Sequence, residues 1–438
     1  MTGLSDALAG LLGADVADLR RLPGGASRET WSFTAGGAPL VVRRDPPGRA
    51  DAAAMAREAA LLASAAGAGV PVPRLVARGD DLDGTPFLIM EKLDGETIPR
   101  KLLRDERFAG VRPRLARELG AILARLHTMT PVPGLPDGDP LAGITAQYES
   151  HDEPRPAIEV ALRWLADHRP PASGRPVVVH GDFRTGNLMI TPAGVSGVLD
   201  WELTHLGDPA EDLGWLCVKA WRFGSLAPAG GFGGREDLLA GYAAAGGVPP
   251  TPERLRWWEV YGTLRWAVIC RMQAERYLSG GDPNIEYAVL GRKVCEQEHD
   301  LFLALGLTEP VTVADPLDAL SGAAAPPHDL PGAGALLDAV GEFLRCAPQP
   351  DERLRFHARV AAGALRIARR ELLLGPAHAA AHQARLTALG CGCDADLAAA
   401  IRAGTLDGRR DEVIAAIRDS LIDKLTVANP RHLSLPAS

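Results

Sequence analysis

The chain has 438 residues, 46% hydrophobic and 23% charged, with a formal net charge of −8. This length exceeds one ordinary core and points to two or three domains of a soluble globular protein. The negative balance argues against non-specific nucleic-acid binding, and no apolar run approaches the ~20 residues a bilayer span needs. Six cysteines without framework spacing, and an N-terminus lacking the basic start and long apolar stretch of a signal peptide, fit a reducing cytoplasm. Enrichment in Ala, Arg, Gly and Pro matches the coding bias of GC-rich bacteria.

Residues 4–20 carry a weak helical pattern. Gly24, Gly25, Ala26 and Ser27 then precede a β-like run, and such a small-residue turn lets backbone N–H groups approach an anion. Alone it reads as an ordinary turn. In the next strand, Leu40 to Arg43, alternation places Val41 and Arg43 on one face. Asp51 to Ala66 is a helix by the spacing of Met55, Leu61 and Leu62, and Glu58 by itself reads there as a solvated acid. Phe87 to Glu91 reads as a buried strand, and Lys92 to Gly95 as a hinge into a second lobe. Leu115 to Met129 is a long amphipathic helix ending near His127, which reads as a structural helix-end residue.

Residues 177–202, VVVHGDFRTGNLMITPAGVSGVLDWE, concentrate the chemistry. A short apolar run ends at His180, Gly181 and Asp182. Asn187 opens a second run, a Pro-Ala-Gly turn follows, and the chain returns to Asp200 and Glu202. A hairpin here would bring Asn187 and Asp200 together, with Asp182 on the loop before it. Oxygen ligands of this kind suit Mg²⁺, leaving Asp182 to orient a hydroxyl nucleophile, and phosphoryl transfer is mostly positioning and charge neutralisation.

This order, H-G-D-x4-N, hairpin, D-W-E, resembles the aminoglycoside phosphotransferase family of protein-kinase-like small-molecule kinases. The stretches GDFRTGNLMI and VLDWELTHLGDP resemble the branch found with acyl-CoA dehydrogenases. The resemblance implies an α+β, bilobal protein-kinase-like fold with an antiparallel N-lobe sheet plus helix and a mainly helical C-lobe. It implies ATP and Mg²⁺ as cofactors and a small-molecule hydroxyl acceptor, with no nucleic acid or membrane partner. Asp182 would be the base, with His180 holding its loop, and Asn187 and Asp200 the metal ligands, with Glu202 beside them. Gly24, Gly25, Ala26, Ser27 and Arg43 would clamp phosphates, Val41 would pack on adenine, Glu58 would pair with the strand cation, and Met90, Glu91 and Lys92 would meet the adenine edge. Arg43 is a departure, since the family usually has Lys there. Asp208 and Asp212 would brace the catalytic loop.

Residues 213–280 hold five tryptophans and eight basic residues against five acids, which leans towards an anionic or amphipathic acceptor such as a hydroxyacyl-CoA-like compound. Most of the tryptophans read as core. Gly230 to Gly234 reads as a mobile segment. The expected layout is an N-lobe over 1–92, a C-lobe over 93–308, a linker over 309–332 and a separate all-α domain over 333–438, whose surface offers self-association or a partner contact. Helices are expected there at 333–346, 351–374, 376–389, 394–403 and 409–427, with a stop at Gly375-Pro376. It resembles a helical domain appended to some bacterial members of the branch. His378, His382, Cys391 and Cys393 have zinc-ligand chemistry, but the Cys-x-Cys spacing is poor for a structural site. The competing readings are a nucleotide-binding scaffold with little or no activity and an aminoglycoside-type antibiotic kinase.

Overall fold

Alternating apolar residues in the N-terminal part build a five-stranded antiparallel sheet in the order β1-β2-β3-β5-β4. Its strands are β1 (Val16–Arg21), β2 (Glu29–Ala35), β3 (Ala38–Arg44), β4 (Leu75–Leu82) and β5 (Thr85–Glu91). The structure is a computed structural model that describes residues 2–22, 28–46, 48, 50–318, 332–348 and 351–435. Phe33, Leu40, Val42, Phe87 and Ile89 form one face, packed on Leu4 and Leu8 of the helix Thr2–Leu12. Register sets Val41 between Ser32 and Met90, and Arg43 between Thr30 and Leu88, on the other face. There Leu88 and Met90 join Met55, Leu61 and Leu62 of the helix Ala52–Gly67. The Asp51 side chain starts that helix by accepting the Ala54 N–H at 2.9 Å.

Two compact units divide the chain: Met1–Gly138 with Pro170–Trp258, and Asp139–Arg169 with Glu259–Ser438. In the first, the sheet is followed by a mainly helical lobe. The helix Arg112–Leu126 buries Leu115, Leu119, Ile122, Leu123 and Leu126 and crosses the helix Arg235–Ala244. Two glycines set how close that crossing is. A Cβ on Gly120 would lie 2.0 Å from the Leu238 carbonyl oxygen, and one on Gly241 would lie 1.9 Å from that of Arg117. Short strands complete the lobe: β6 (Val177–Val179) pairs with β9 (His205–Gly207), and β7 (Leu188–Thr191) with β8 (Gly194–Val198) as a hairpin. The expected α+β architecture is thus present, and the C-terminal part of the chain is all helical.

The second unit is built from helices around Phe302, Leu386, Leu397, Ile401, Val413, Ile417 and Leu421. One expectation fails here. Glu352–Ala388 is a single 37-residue helix that runs through Pro376. Proline removes the bond to the carbonyl four residues back, that of Leu372, a residue on the exposed side of the helix at 65% exposure. Two arginines of this helix, Arg366 and Arg370, bond Asp315. Arg370 holds the Asp315 carboxyl well below the usual carboxylate range. Residues 319–331, within the expected linker, lie outside the described residues. Among the described residues no helix is long and apolar enough to cross a membrane.

Candidate active site

Asp182 sits on the loop between β6 and β7, 9% exposed, and its carboxylate is held by three donors. Arg184 Nε and Trp215 Nε1 both donate to Oδ1 at 2.9 Å, and Asn187 Nδ2 donates to Oδ2 at 2.6 Å. Asn187 Nδ2 also donates to the Asp182 carbonyl at 3.0 Å. Both amide hydrogens of Asn187 therefore point at Asp182, which leaves its Oδ1 as an acceptor. A carboxylate offers about four lone-pair sites, so one on Asp182 Oδ2 remains for a further donor.

The hairpin returns the chain as the sequence implies. The Leu199 N–H donates to the Asn187 carbonyl at 2.8 Å, placing Asp200 beside Asn187. Asp200 has φ +67°, a left-handed conformation that a non-glycine residue adopts at a cost of about 1–3 kcal/mol. Its carboxylate, 38% exposed, points to Arg43, with Nη2 at 3.6 Å from Oδ1. Glu202 lies on the exposed 3-10 turn that follows, near enough to favour the charge on Arg28.

The loop is braced from below. Asp212, fully buried, accepts the N–H of His180 at 2.8 Å and of Gly181 at 3.0 Å, and faces His127 Nε2 at 3.3 Å. Burial opposes its charge, yet the contact with His127 and the N–H bond from His180 outweigh it and hold the carboxyl below its ordinary value. The Tyr242 hydroxyl lies 2.8 Å from His127 Nδ1; burial first, then Asp212, push that phenol up to about 12, so it stays a donor. Gly181 has φ +75°, and a Cβ there would lie 2.4 Å from the Leu203 carbonyl oxygen. His180 is fully buried, which pushes its imidazole below its ordinary value and keeps it neutral. Nδ1 accepts the Asp182 N–H at 3.2 Å and Nε2 donates to the Leu199 carbonyl at 3.0 Å. It ties the loop to the Asp200 segment and has no free nitrogen face for proton transfer. Asp208 does not brace the loop: it caps the helix Ala210–Cys217 through the Ala210 N–H and pairs with Arg254.

In the sheet, Arg43 Nη1 meets Glu58 Oε1 at 2.5 Å, so the strand cation and helix glutamate are paired. Glu58 is 3% exposed because it also bonds Arg28, whose Nε reaches Asp45 at 3.0 Å. The turn Gly24, Gly25, Ala26 and Ser27 lies outside the described residues. Val41 shares the Arg43 face, next to Met90. At the hinge, the N–H groups of Glu91 and Lys92 donate to the carbonyls of Arg74 and Pro39.

Sequence reasoning did not single out Arg28, Arg184, Trp215 or Tyr242. A local signal existed for two of them. Arg28 directly follows the small-residue turn, and Trp215 is three residues after Asp212, hence on the same helical face. Trp215, Trp221, Trp257 and Trp258 are buried, as expected of core, but Trp215 is also a donor to the site, and Trp221 carries the Arg184 guanidinium 4.6 Å above its ring. The Gly230–Gly234 segment is anchored rather than loose: the Thr185 hydroxyl donates to the Gly230 carbonyl and the Gly230 N–H to that of Leu216. The basic surplus is partly consumed by pairing, as Arg254, Arg271 and Arg276 bond acids and Arg222 bonds the Cys217 carbonyl. In the second unit, His378 faces Asp423 and His382 faces Asp394 rather than either cysteine.

A sheet carrying a paired cation and glutamate, a hinge, and a helical lobe holding an Asp–Asn loop beside a hairpin aspartate define a kinase-like phosphotransferase fold. The chain belongs to the phosphotransferase enzyme family, whose sequence profile matches residues 18–258. Residues 348–432 match a domain of unknown function, DUF6285. The crystal structure of a Ralstonia eutropha protein assigned as an aminoglycoside phosphotransferase has the same fold, with TM-score 0.57 and 24% identity, covering 69% of this chain and 98% of that one. Acyl-CoA dehydrogenase family member 10 of Mus musculus is 29% identical over 306 residues, covering 62% of this chain, which spans only 28% of that relative. Aminoglycoside 3'-phosphotransferase of Escherichia coli is 28% identical over 146 residues, 30% of this chain and 53% of that protein.

Proposed function

We propose that the chain transfers a phosphoryl group from ATP, with Mg²⁺, to a hydroxyl of a small anionic or amphipathic acceptor. One observation carries the reading: the open lone pair on Asp182 Oδ2 lies beside Asn187, whose Oδ1 is turned away from it. An acceptor hydroxyl can donate to Asp182, and a hard cation can be held by Asn187 Oδ1 and the exposed Asp200 carboxylate. These are oxygen-only donors, which fits Mg²⁺, with Glu202 available at the edge. Mg²⁺ bound there would neutralise charge on the nucleotide phosphates. Arg43 and Arg28, both fixed by Glu58, would supply positive charge to the same phosphates, and an adenine over Val41 would be met at the hinge by atoms other than the Glu91 and Lys92 N–H groups.

Asp182, held by Arg184 and Trp215, acts mainly by orienting the hydroxyl and accepts its proton as the bond forms. The anionic acceptor is supported by Arg184 and by likeness to proteins named for acyl-CoA dehydrogenases. The test is nucleotide turnover against hydroxylated acceptors, acyl-CoA thioesters and aminoglycosides included. Asp182→Ala should abolish transfer while nucleotide binding survives; unchanged turnover removes Asp182 from the reaction, and transfer to aminoglycosides alone overturns the acceptor class.

A further inference from the structure

The helix Val294–Leu305 buries an unusual run of polar residues. Gln297, Glu298, His299 and Asp300 are each no more than 2% exposed. Buried polar groups of this density need partners, and Glu298 has Arg155 at 3.3 Å and Lys424 at 3.8 Å. His299 and Asp300 converge with His432, which comes from the 3-10 turn Pro430–His432 near the end of the chain. One donor atom from each of the three lies within 4.8 Å of the others, and among the described residues this is the single such grouping of three or more His, Cys, Asp and Glu.

We propose that His299, Asp300 and His432 form a binding site for one divalent first-row transition ion, best filled by Zn²⁺. Two imidazoles and one carboxylate are a borderline-soft donor set that suits such ions over Mg²⁺. Asp300 Oδ1 lies 2.8 Å from His432 Nε2, a hydrogen bond that an ion would replace by parting the two atoms to roughly the 3.3 Å edge of a tetrahedral site with ligands about 2.0–2.1 Å from the metal. The rings of His299 and His432 stand at 71° with centroids 6.0 Å apart, edge towards face, which keeps the two imidazoles adjacent.

The surroundings repeat the logic of a metal site. His432 Nδ1, the nitrogen away from Asp300, faces Glu296 Oε2 at 3.9 Å, and Asn429 Nδ2 holds Glu296 at 2.8 Å. At that separation Glu296 acts by its charge, favouring a cation at the imidazole, and a small approach would let it accept the Nδ1–H as carboxylates behind metal-binding imidazoles do. The ion would join two segments distant in sequence, beside the Val311 N–H bond to the Leu433 carbonyl and the Cys295–Leu425–Leu433 cluster. Its role is to fasten the chain's last turn to the helix Val294–Leu305.

The test uses the full chain, stripped with chelator and kept in excess Mg²⁺ to saturate the oxygen-ligand site. Zn²⁺ is titrated by calorimetry and Co²⁺ by visible absorption. One equivalent should bind, with Co²⁺ d–d bands and no thiolate charge-transfer band, and Zn²⁺ should raise Tm. His432→Ala and His299→Ala should lose that equivalent, Glu296→Gln should weaken it about tenfold, and His378→Ala should keep it. Because His299 is fully buried and its variant can fail to fold, His432→Ala, on the terminal turn, decides. No bound equivalent in the stripped wild type, a thiolate band, or unchanged binding in His432→Ala would overturn the site and leave Asp300 and His432 as an ion pair alone.

Discussion

Replacing Asp212 by Asn tests whether the catalytic loop is held by a buried charge. The carboxylate accepts the His180 N–H and faces His127 through Oδ2, and accepts the Gly181 N–H through Oδ1. An Asn oxygen in the Oδ2 position keeps two contacts, while its NH₂ faces the Gly181 N–H. Leaving that buried donor unpaired costs about 1–3 kcal/mol, and the two remaining bonds lose charge assistance worth roughly 0.5–1 kcal/mol each. The sum is about 3 kcal/mol, or a Tm lower by about 6–12 °C for a unit of this size. Urea unfolding at pH 7.5 and at lower pH measures it. The folded-state value of Asp212 is depressed, so its stabilisation is present above the unfolded value of about 3.9 and is lost as pH falls through the folded value. Asn does not titrate there. The gap between wild type and variant should therefore persist at pH 5 and shrink only below about pH 4. A difference under about 1 kcal/mol at pH 7.5, or one that widens on acidification, would refute the argument.

Trp215→Phe removes one donor to Asp182 while keeping an aromatic ring, and should lower kcat about 10- to 100-fold with the nucleotide KM little changed, measured in steady-state kinetics. Gly120→Ala places a methyl against the Leu238 carbonyl and should destabilise by about 1–3 kcal/mol in urea titration; a neutral result would mean the helix crossing is looser than described. His180 is held neutral by burial with its folded value depressed, so its contribution is complete above about pH 6.5 and is lost as pH falls below that. Wild-type unfolding midpoints should drop between pH 8 and 5, and His180→Gln should flatten that part of the profile.

Much of the site was legible because its parts are local. His180, Asp182, Asn187 and Asp200 lie within one short stretch whose turn and strand lengths nearly dictate their meeting, and the Val41–Arg43 face follows from strand alternation. The Glu58 partner was legible only through family likeness, since a lone helix acid is indistinguishable from a solvated one. What escaped were contacts made across elements. Tyr242 reaches His127 only because Gly120 and Gly241 let two helices approach, and Asp208, just before the helix Ala210–Cys217, bonds Arg254, 46 residues on, rather than the loop. Pro376 misled for a related reason: proline costs a helix one hydrogen bond and a ring clash with the carbonyl four residues back, and packing of the rest of the helix can outweigh that local cost.

The sequence by itself determined the family, the antiparallel sheet with its helix, and the helical character of the C-terminal part. Those depend on residue type and short-range period. Only tertiary structure decided which donors hold Asp182, which arginines meet Glu58, how much of the basic segment is already paired, and that His299, Asp300 and His432 converge. Hydrogen bonds and ion pairs act over a few ångströms, and sequence separation carries no information about that distance until the chain has packed.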